Sequence, residues 1–286
     1  MNSPHTPNAP AETGLLLRLA GPLQSWGERS PFNERDTAPF PTRSGVLGLL
    51  ASALGRGRDQ PPDDLARLSL TIRVDRPGVL LRDLHTVGGG LPAKATVTTA
   101  EGKKRPGDTG TLLTHRTYLA DAAFTIAITG SPADTELLHR AAHALTTPRW
   151  PLFLGRRSCP PEGPLLLGTT ADPLHHLVHL PLAAPRPRNG SRDVEFLSDR
   201  PLNLLQTPQQ LATGDSQEGT HPVSEINDQP VSFHPSRRTH RARALYRRTL
   251  HLPADQHTGL GTGHLASLTA YLGEHLARPA PEGHSR

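Results

Sequence analysis

The chain has 286 residues, 35% of them hydrophobic, 4% aromatic and 20% charged, with 30 prolines, 26 glycines and one cysteine. This length supports one large domain or two small ones with a real core. A single thiol excludes an internal disulfide and a cysteine-rich zinc site, and no stretch is long and apolar enough to span a membrane as a helix. The formal net charge of +5 and a pI near 10.0 suit a polyanionic partner, because each neutralised phosphate releases counterions. An arginine-rich composition does not by itself identify that partner.

In chain order, residues 1–13 carry no basic segment followed by an apolar one and read as a disordered leader rather than a secretory signal. Residues 15–20 (LLLRLA) are a short apolar run, a buried strand. A polar loop leads to PTRSGVLGLLASALGRG, where Val46, Leu47, Leu50, Ala53 and Leu54 share one helical face. Thr42 or Ser44 can cap that helix and Gly55 or Gly57 can end it. Gly45 and Gly48 imply a neighbour that requires them small. Residues 68–76 alternate with period two, a half-buried strand, and residues 79–86 predict another. Residues 87–114 are rich in Gly, Thr and Lys with weak periodicity, a solvent-exposed excursion. Phe124, Ile126 and Ile128 alternate again. Ser131-Pro132-Ala133-Asp134 is a helix start with a capping serine, a first-turn proline and an acid at the third position. Leu137, Leu138, Ala141, Ala142 and Leu145 form its apolar face, and Pro148 stops it. A short strand follows at 165–167. The order strand–helix–strand–strand–helix–strand predicts an α+β fold, a ferredoxin-like or RNA-recognition-motif palm with both helices on one face of an antiparallel sheet. Residues 175–248 read as further strands and loops. Leu265, Leu268, Leu272 and Leu276 can line one short helix in a C-terminal extension, 251–286, that otherwise reads as disordered.

The segments LRLAGPLQSWG and FPTRSGVLGLLASALG resemble the start of the CRISPR-associated CasD family. RDLHTV (82–87), RTYLADAAFTIAITG (116–130), PLFLGRRSCP (151–160) and, more loosely, DQPVSFHP (228–235) resemble it in the same order, so that the likeness spans roughly residues 14–250. The resemblance implies an RNA-binding subunit of type I-E Cascade that holds the five-prime handle of the guide RNA, with a thumb hairpin inserted near 87–114. It implies as partners the guide RNA, the Cascade backbone subunit, the large subunit and, through the assembled complex, target DNA. It also implies a cytoplasmic location, no membrane, no cofactor, no metal and no catalysis. The leader, the tail and the sequence of 87–114 match nothing in the family pattern, so no thumb contact is carried over residue by residue.

Several residues could meet RNA on physical grounds. Gln24, Ser25 and Trp26 follow the first strand. The indole offers a face for base stacking and the amide could read a base edge, although Trp26 serves equally as core. Arg43 and Ser44 open the first helix, whose free N–H groups favour phosphate, or form an ordinary capped start. Arg35 could touch RNA or pair with Asp36. Gly155, Arg156 and Arg157 combine close backbone approach with two guanidiniums. His85 and Arg116 flank the excursion that carries Lys94, Lys103, Lys104 and Arg105. The run Arg237, Arg238, Arg241, Arg243, Arg247 and Arg248 reads mostly as a solvated edge strand. Among enzyme readings, His175, His176 and His179 have metal-like spacing but no nearby carboxylate or cysteine. Cys159 has nothing local to lower its pKa. A metal-independent ribonuclease is the one serious rival, with His85, Tyr118 and Lys94 or Arg116 as base, acid and phosphate clamp.

Overall fold

The computed structural model describes residues 13–27, 33–88, 92–96, 98, 103–104, 111–188, 190–203, 205 and 219–276. The leader before residue 13, Arg105 and the tail beyond 276 lie outside the described residues. A seven-stranded sheet organises the fold. Its central four strands are β1 (Gly14–Ala20), β4 (Ser69–Arg76), β7 (Ala123–Thr129) and β8 (Leu166–Thr170), in the order β4-β7-β1-β8 and antiparallel throughout. With α1 (Arg43–Ala53) between β1 and β4, and α2 (Thr135–Thr146) between β7 and β8, this is the ferredoxin-like arrangement. Beyond β4 the sheet continues through β9 (Ser191–Ser198) and β11 (Thr239–Pro253) to the edge strand β10 (Ser224–Ser232).

Period-two alternation distributes β1 between two cores. Leu15, Leu17 and Leu19 join a cluster with Val46, Leu47 and Leu50 of α1, Leu138 and Ala141 of α2, and Phe124, Ile126 and Ile128 of β7. Leu16 points the other way, into a cluster with Val194, Phe196, Leu250, Leu252 and two further helices, α3 (Pro173–His179) and α4 (Thr262–His275). Both faces of the sheet are therefore covered, and every residue of β1 and β7 is buried. For β4 this corrects the expectation of a half-buried strand: Thr71 and Arg73 on its second face are buried as well. Arg73, 0% exposed, holds Asp75 and donates to the carbonyls of Leu177, Leu180 and Pro181 at the end of α3. A guanidinium there satisfies orphan carbonyls at a helix C-terminus.

Local signals mostly set the helix starts. At Ser131 the N–H and hydroxyl both donate to Asp134 Oδ2, at 3.1 and 2.7 Å, and a 3-10 turn over Pro132–Asp134 leads into α2. At α1 neither Thr42 nor Ser44 provides the expected cap; Asp228 Oδ2, in β10, accepts the Arg43 N–H at 2.6 Å. Gly45 is small because a Cβ there would stand 2.7 Å from Trp26 Cε3, whereas a Cβ on Gly48 would meet nothing within 4 Å.

The strand expected at 79–86 forms, but outside the palm. β5 (Val79–Val87) pairs with β6 (Leu112–Ala120) in a long hairpin inserted between β4 and β7. On its other edge β6 carries the short strands β2 (Leu23–Gln24), antiparallel, and β3 (Glu34–Arg35), parallel. Leu80, Leu84 and Leu113 of this hairpin are exposed. At the other end of the chain β11 runs on to Pro253, and Leu268 of α4 and Leu276 just after it join the second core.

Candidate nucleic-acid interface

The predicted residues separate into a buried group and a surface group. Gln24, 0% exposed, donates to the Leu19 and Ala122 carbonyls at 3.1 and 2.8 Å and accepts from Trp26 Nε1 at 3.0 Å. Its amide is spent within the protein. Trp26 is 1% exposed and packs on Gly45; Ser25 is buried beside it, its N–H donating to the Leu154 carbonyl at 3.0 Å. The stacking and edge-reading roles expected of Gln24 and Trp26 are thus corrected: both belong to the core, because the α1 glycine lets the indole sit flat against the helix.

Arg43 and Ser44 are buried too. The Arg43 guanidinium holds Asp199 Oδ2 and Gln229 Oε1 and donates to the carbonyls of Ala66 and Leu68 at 2.8 and 2.6 Å. With Asp228 on the helix N–H, a carboxylate already occupies the place read as a phosphate site. Burial pushes the Asp199 carboxyl up, opposed by the charge of Arg43, and a buried pair of this kind cannot open to an RNA without stranding its partner.

Gly155 has φ +96°, and a Cβ there would stand 1.7 Å from the Ser25 carbonyl oxygen. The glycine therefore serves close packing of its own loop against the chain after β1. Arg156 donates Nη1 to the Thr117 carbonyl at 2.7 Å and Nη2 to those of Arg35 and Asp36 at 2.9 and 2.8 Å, with its Cζ 4.8 Å above the Tyr118 ring. It is a strut between the 151–160 loop and the small sheet, which corrects its assignment to a phosphate clamp. Cys159 is buried, and burial raises its thiol pKa.

The surface group converges on one face of the hairpin. Residues directly opposite in an antiparallel pair share a face. Tyr118 stands opposite Leu81, Arg116 opposite Asp83 and Thr114 opposite His85, with Arg35 beside Arg116 on β3. His85 Nε2 lies 2.7 Å from Asp83 Oδ2. The Arg116 Nε is buried without a partner among the described residues. Arg157 is exposed, next to the strut that reaches β6. The structure thus brings Arg35, His85 and Arg116 to one face of the hairpin, leaves Arg157 exposed in the 151–160 loop, and buries Gln24, Ser25, Trp26, Arg43 and Ser44.

Of the basic excursion, Lys94 is exposed, and Lys104 Nζ donates to the Thr96 carbonyl at 3.0 Å. The 237–248 run is corrected from a solvated edge strand, since β11 lies between β10 and β9. Within it Arg243 pairs with Asp228, Arg247 pairs with Glu195, and Arg248 is 1% exposed and donates to the Leu202 carbonyl. His175 stacks on His179 and meets His176 edge-on, and His176 in turn lies against Tyr271 and His275. Among the described residues no group of three or more His, Cys, Asp or Glu is placed to hold a metal ion. No described helix is long and apolar enough to cross a membrane.

The family described as CRISPR-associated protein (Cas_Cas5) matches residues 14–246 of the chain. The chain belongs to the Cas5 family. The Escherichia coli (strain K12) protein described as "CRISPR system Cascade subunit CasD" is 39% identical over 181 residues, which cover 58% of this Cas5 chain and 75% of that protein. A chain of a solved "CRISPR RNA-guided surveillance complex" superposes with a TM-score of 0.76 at 40% identity, covering 91% of this chain and 100% of that one. A second, described as "Crystal structure of Cas protein", gives a TM-score of 0.55 at 34% identity over 87% of this chain and 98% of the other. The sequence blocks that resemble CasD are those that build the Cas5 palm, the hairpin and the loop beneath it.

Proposed function

We propose that this chain is the Cascade subunit that holds the five-prime handle of the guide RNA and caps one end of the backbone filament, in defence against foreign DNA. It acts in the cytoplasm and contributes position rather than catalysis. The observation that carries the reading is the basic face of the hairpin, where Arg116 lies beside Arg35 of β3 and on the same face as His85. A basic strand face attached to a ferredoxin-like palm fits an RNA backbone. The opposite face of the hairpin, with Leu80, Leu84 and Leu113 exposed, fits an apolar surface of the backbone subunit. The large subunit docks beside the handle, and target DNA is read by guide pairing in the assembled complex.

The rival reading, cleavage of repeat RNA, draws less support from the geometry. Tyr118 and His85 stand four positions apart along the ladder, about 13 Å at strand spacing, and acid–base catalysis needs both within hydrogen-bond reach of one phosphodiester. The Tyr118 side chain is enclosed, with its hydroxyl 3.4 Å from Ser158 Oγ and Arg156 over its ring. The test is to co-express the tagged chain with Cascade subunits and a repeat–spacer transcript, then sequence the ends of the bound RNA. Guide RNA with a defined handle, recovered only when the repeat-cleaving subunit is present, is the expected result. Defined ends without that subunit would make this chain the nuclease.

A further inference from the structure

The β5–β6 hairpin has a feature that RNA binding does not use, the outer edge of β5. β6 is paired on both sides, by β5 on one and by β2 and β3 on the other, whereas β5 pairs with β6 alone among the described residues. An unpaired edge offers a row of backbone N–H and C=O groups to a further strand, and natural sheets blunt such edges with proline, bulges or short length. Both edges of the large sheet show these devices. β10 carries Pro230 and two breaks in register, and β8 has only five residues. β5 has nine residues, keeps an unbroken register with β6 and contains no proline. Its side chains are also apolar and open, with Val79 70%, Leu80 65%, Leu81 45% and Leu84 56% exposed.

The sequence of β5, VLLRDLHTV, restricts what can pair with it. Residues opposite one another in an antiparallel pair share a face, and the N–H and C=O of one residue point to the same edge. When two copies of a strand join by the same edge, the two-fold axis therefore passes through a residue. An axis through Arg82 sets two guanidiniums opposite each other, one through Asp83 two carboxylates, and one through His85 two imidazoles. An axis through Leu81 sets Arg82 and Asp83 against Leu80 and Val79. An axis through Leu84 meets none of these conflicts. Leu84 then packs on Leu84 of the copy and Leu81 on Val87, while Arg82 lies opposite Thr86. Asp83 lies opposite His85, the same residue type that it holds at 2.7 Å within its own strand. Leu113 of β6, 53% exposed and opposite Thr86, sits diagonal to Leu84, so four leucines gather on one face. The hairpins leave their palms at the Val79–Ala120 end. In this register the two Val79 ends stand about ten positions, or about 33 Å, apart along the strands, which leaves room for both palms.

We propose that the outer edge of β5 is a self-recognition surface: before assembly, two copies of this chain pair antiparallel through β5, with Leu84 on the two-fold axis, into one continuous sheet. Strand addition of this kind combines backbone hydrogen bonds with contacts between alternate side chains, and the two-fold makes the contact self-complementary and closed. The pairing does not rest on the reading of the chain as an RNA-binding subunit. The apolar face that it covers is the one read above as meeting the backbone subunit, so that self-pairing and assembly exclude one another.

The test measures the mass of the full chain, free of RNA and of other Cascade subunits, by sedimentation over a series of concentrations. The wild type should pass from monomer to dimer. L84K sets two ammonium groups on the axis and should weaken that step by more than about tenfold, with thermal melting confirming that the variant is folded. Single cysteines then read the register against a background in which Cys159 is buried. Mild oxidation should join L84C to its copy, because residues directly opposite stand about 4.5–5.5 Å apart, within disulfide reach. L80C should stay unjoined, because its copy lies about eight positions, or about 26 Å, along the strand, although Leu80 is the more exposed of the two. A wild-type chain that stays monomeric at every concentration overturns the proposal, as does a dimer that L84K leaves intact. Equal joining of L84C and L80C marks chance collision and overturns it too. A chain that is monomeric alone, with L84C protected from oxidation only once the backbone subunit is added, overturns it in favour of that subunit.

Discussion

The start of α1 and the face of the β5–β6 hairpin both present arginines, and they dispose of them in opposite ways. Arg43 is enclosed by Asp199, Gln229 and two backbone carbonyls, with Asp228 on its N–H. The Arg116 Nε has no partner among the described residues, and Arg157 stands exposed. In isolation PTRSG and LGRRSCP look equally suited to phosphate. In PTRSG the place is taken by Asp199, just after β9, and by Asp228 of β10, whereas in LGRRSCP Arg156 is spent on carbonyls and Arg157 is exposed. An arginine is available to a ligand only where the fold has not already supplied its acceptor.

The largest effect that would break this comparison lies at Arg43. R43A should cost about 3–5 kcal/mol, because it leaves buried carboxylates without their counter-charge; R43K should recover little of that, since an ammonium cannot reproduce the fork. Urea unfolding measures both, and a cost below about 1 kcal/mol would return Arg43 to the surface group. The neighbouring arginines of the 151–160 loop offer a sharper contrast. R156A removes three carbonyl bonds and should cost about 1–3 kcal/mol. R157A should stay within about 0.5 kcal/mol yet flatten the salt dependence of RNA binding. If both changed stability alike, the division between strut and free cation would fail.

The smallest effect is the response to acid. Burial, and then a neighbouring imidazole, His179 for His175 and His175 for His176, hold both rings below their ordinary pKa. As pH falls through the ordinary histidine value, the unfolded chain takes up protons that the folded one refuses, so the stability these neutral rings supply is lost on acidification. The melting temperature should therefore drop between about pH 7.5 and about pH 5.5, and H176Q should shrink the drop.

What the sequence could and could not reveal follows from how far each signal reaches. Phe124, Ile126 and Ile128 announce β7 through their own alternation, and Ser131 with Asp134 announces α2, because both signals are local. Trp26 is legible as core only once Gly45, nineteen positions on, is known to lie against it. α3 escapes a reading by periodicity because His175, His176 and His179 dilute its apolar face. Its start is nonetheless written in Asp172, whose Oδ1 accepts the His175 N–H at 3.0 Å, followed by Pro173. At the interface, Arg116 and His85 are legible as flanks of an excursion. That they share a face follows from the register of a hairpin whose arms, Val79–Val87 and Leu112–Ala120, lie almost wholly outside the expected 87–114.

The grip of Asp228 on the start of α1 spans 185 positions. At a synthesis rate of about 5–20 residues per second, roughly 10 to 40 s separate the emergence of the helix from that of its cap. Asp199, the other acid that holds Arg43, lies 156 positions on and so emerges before Asp228. The network at the start of α1 can therefore close only after β10 has been made.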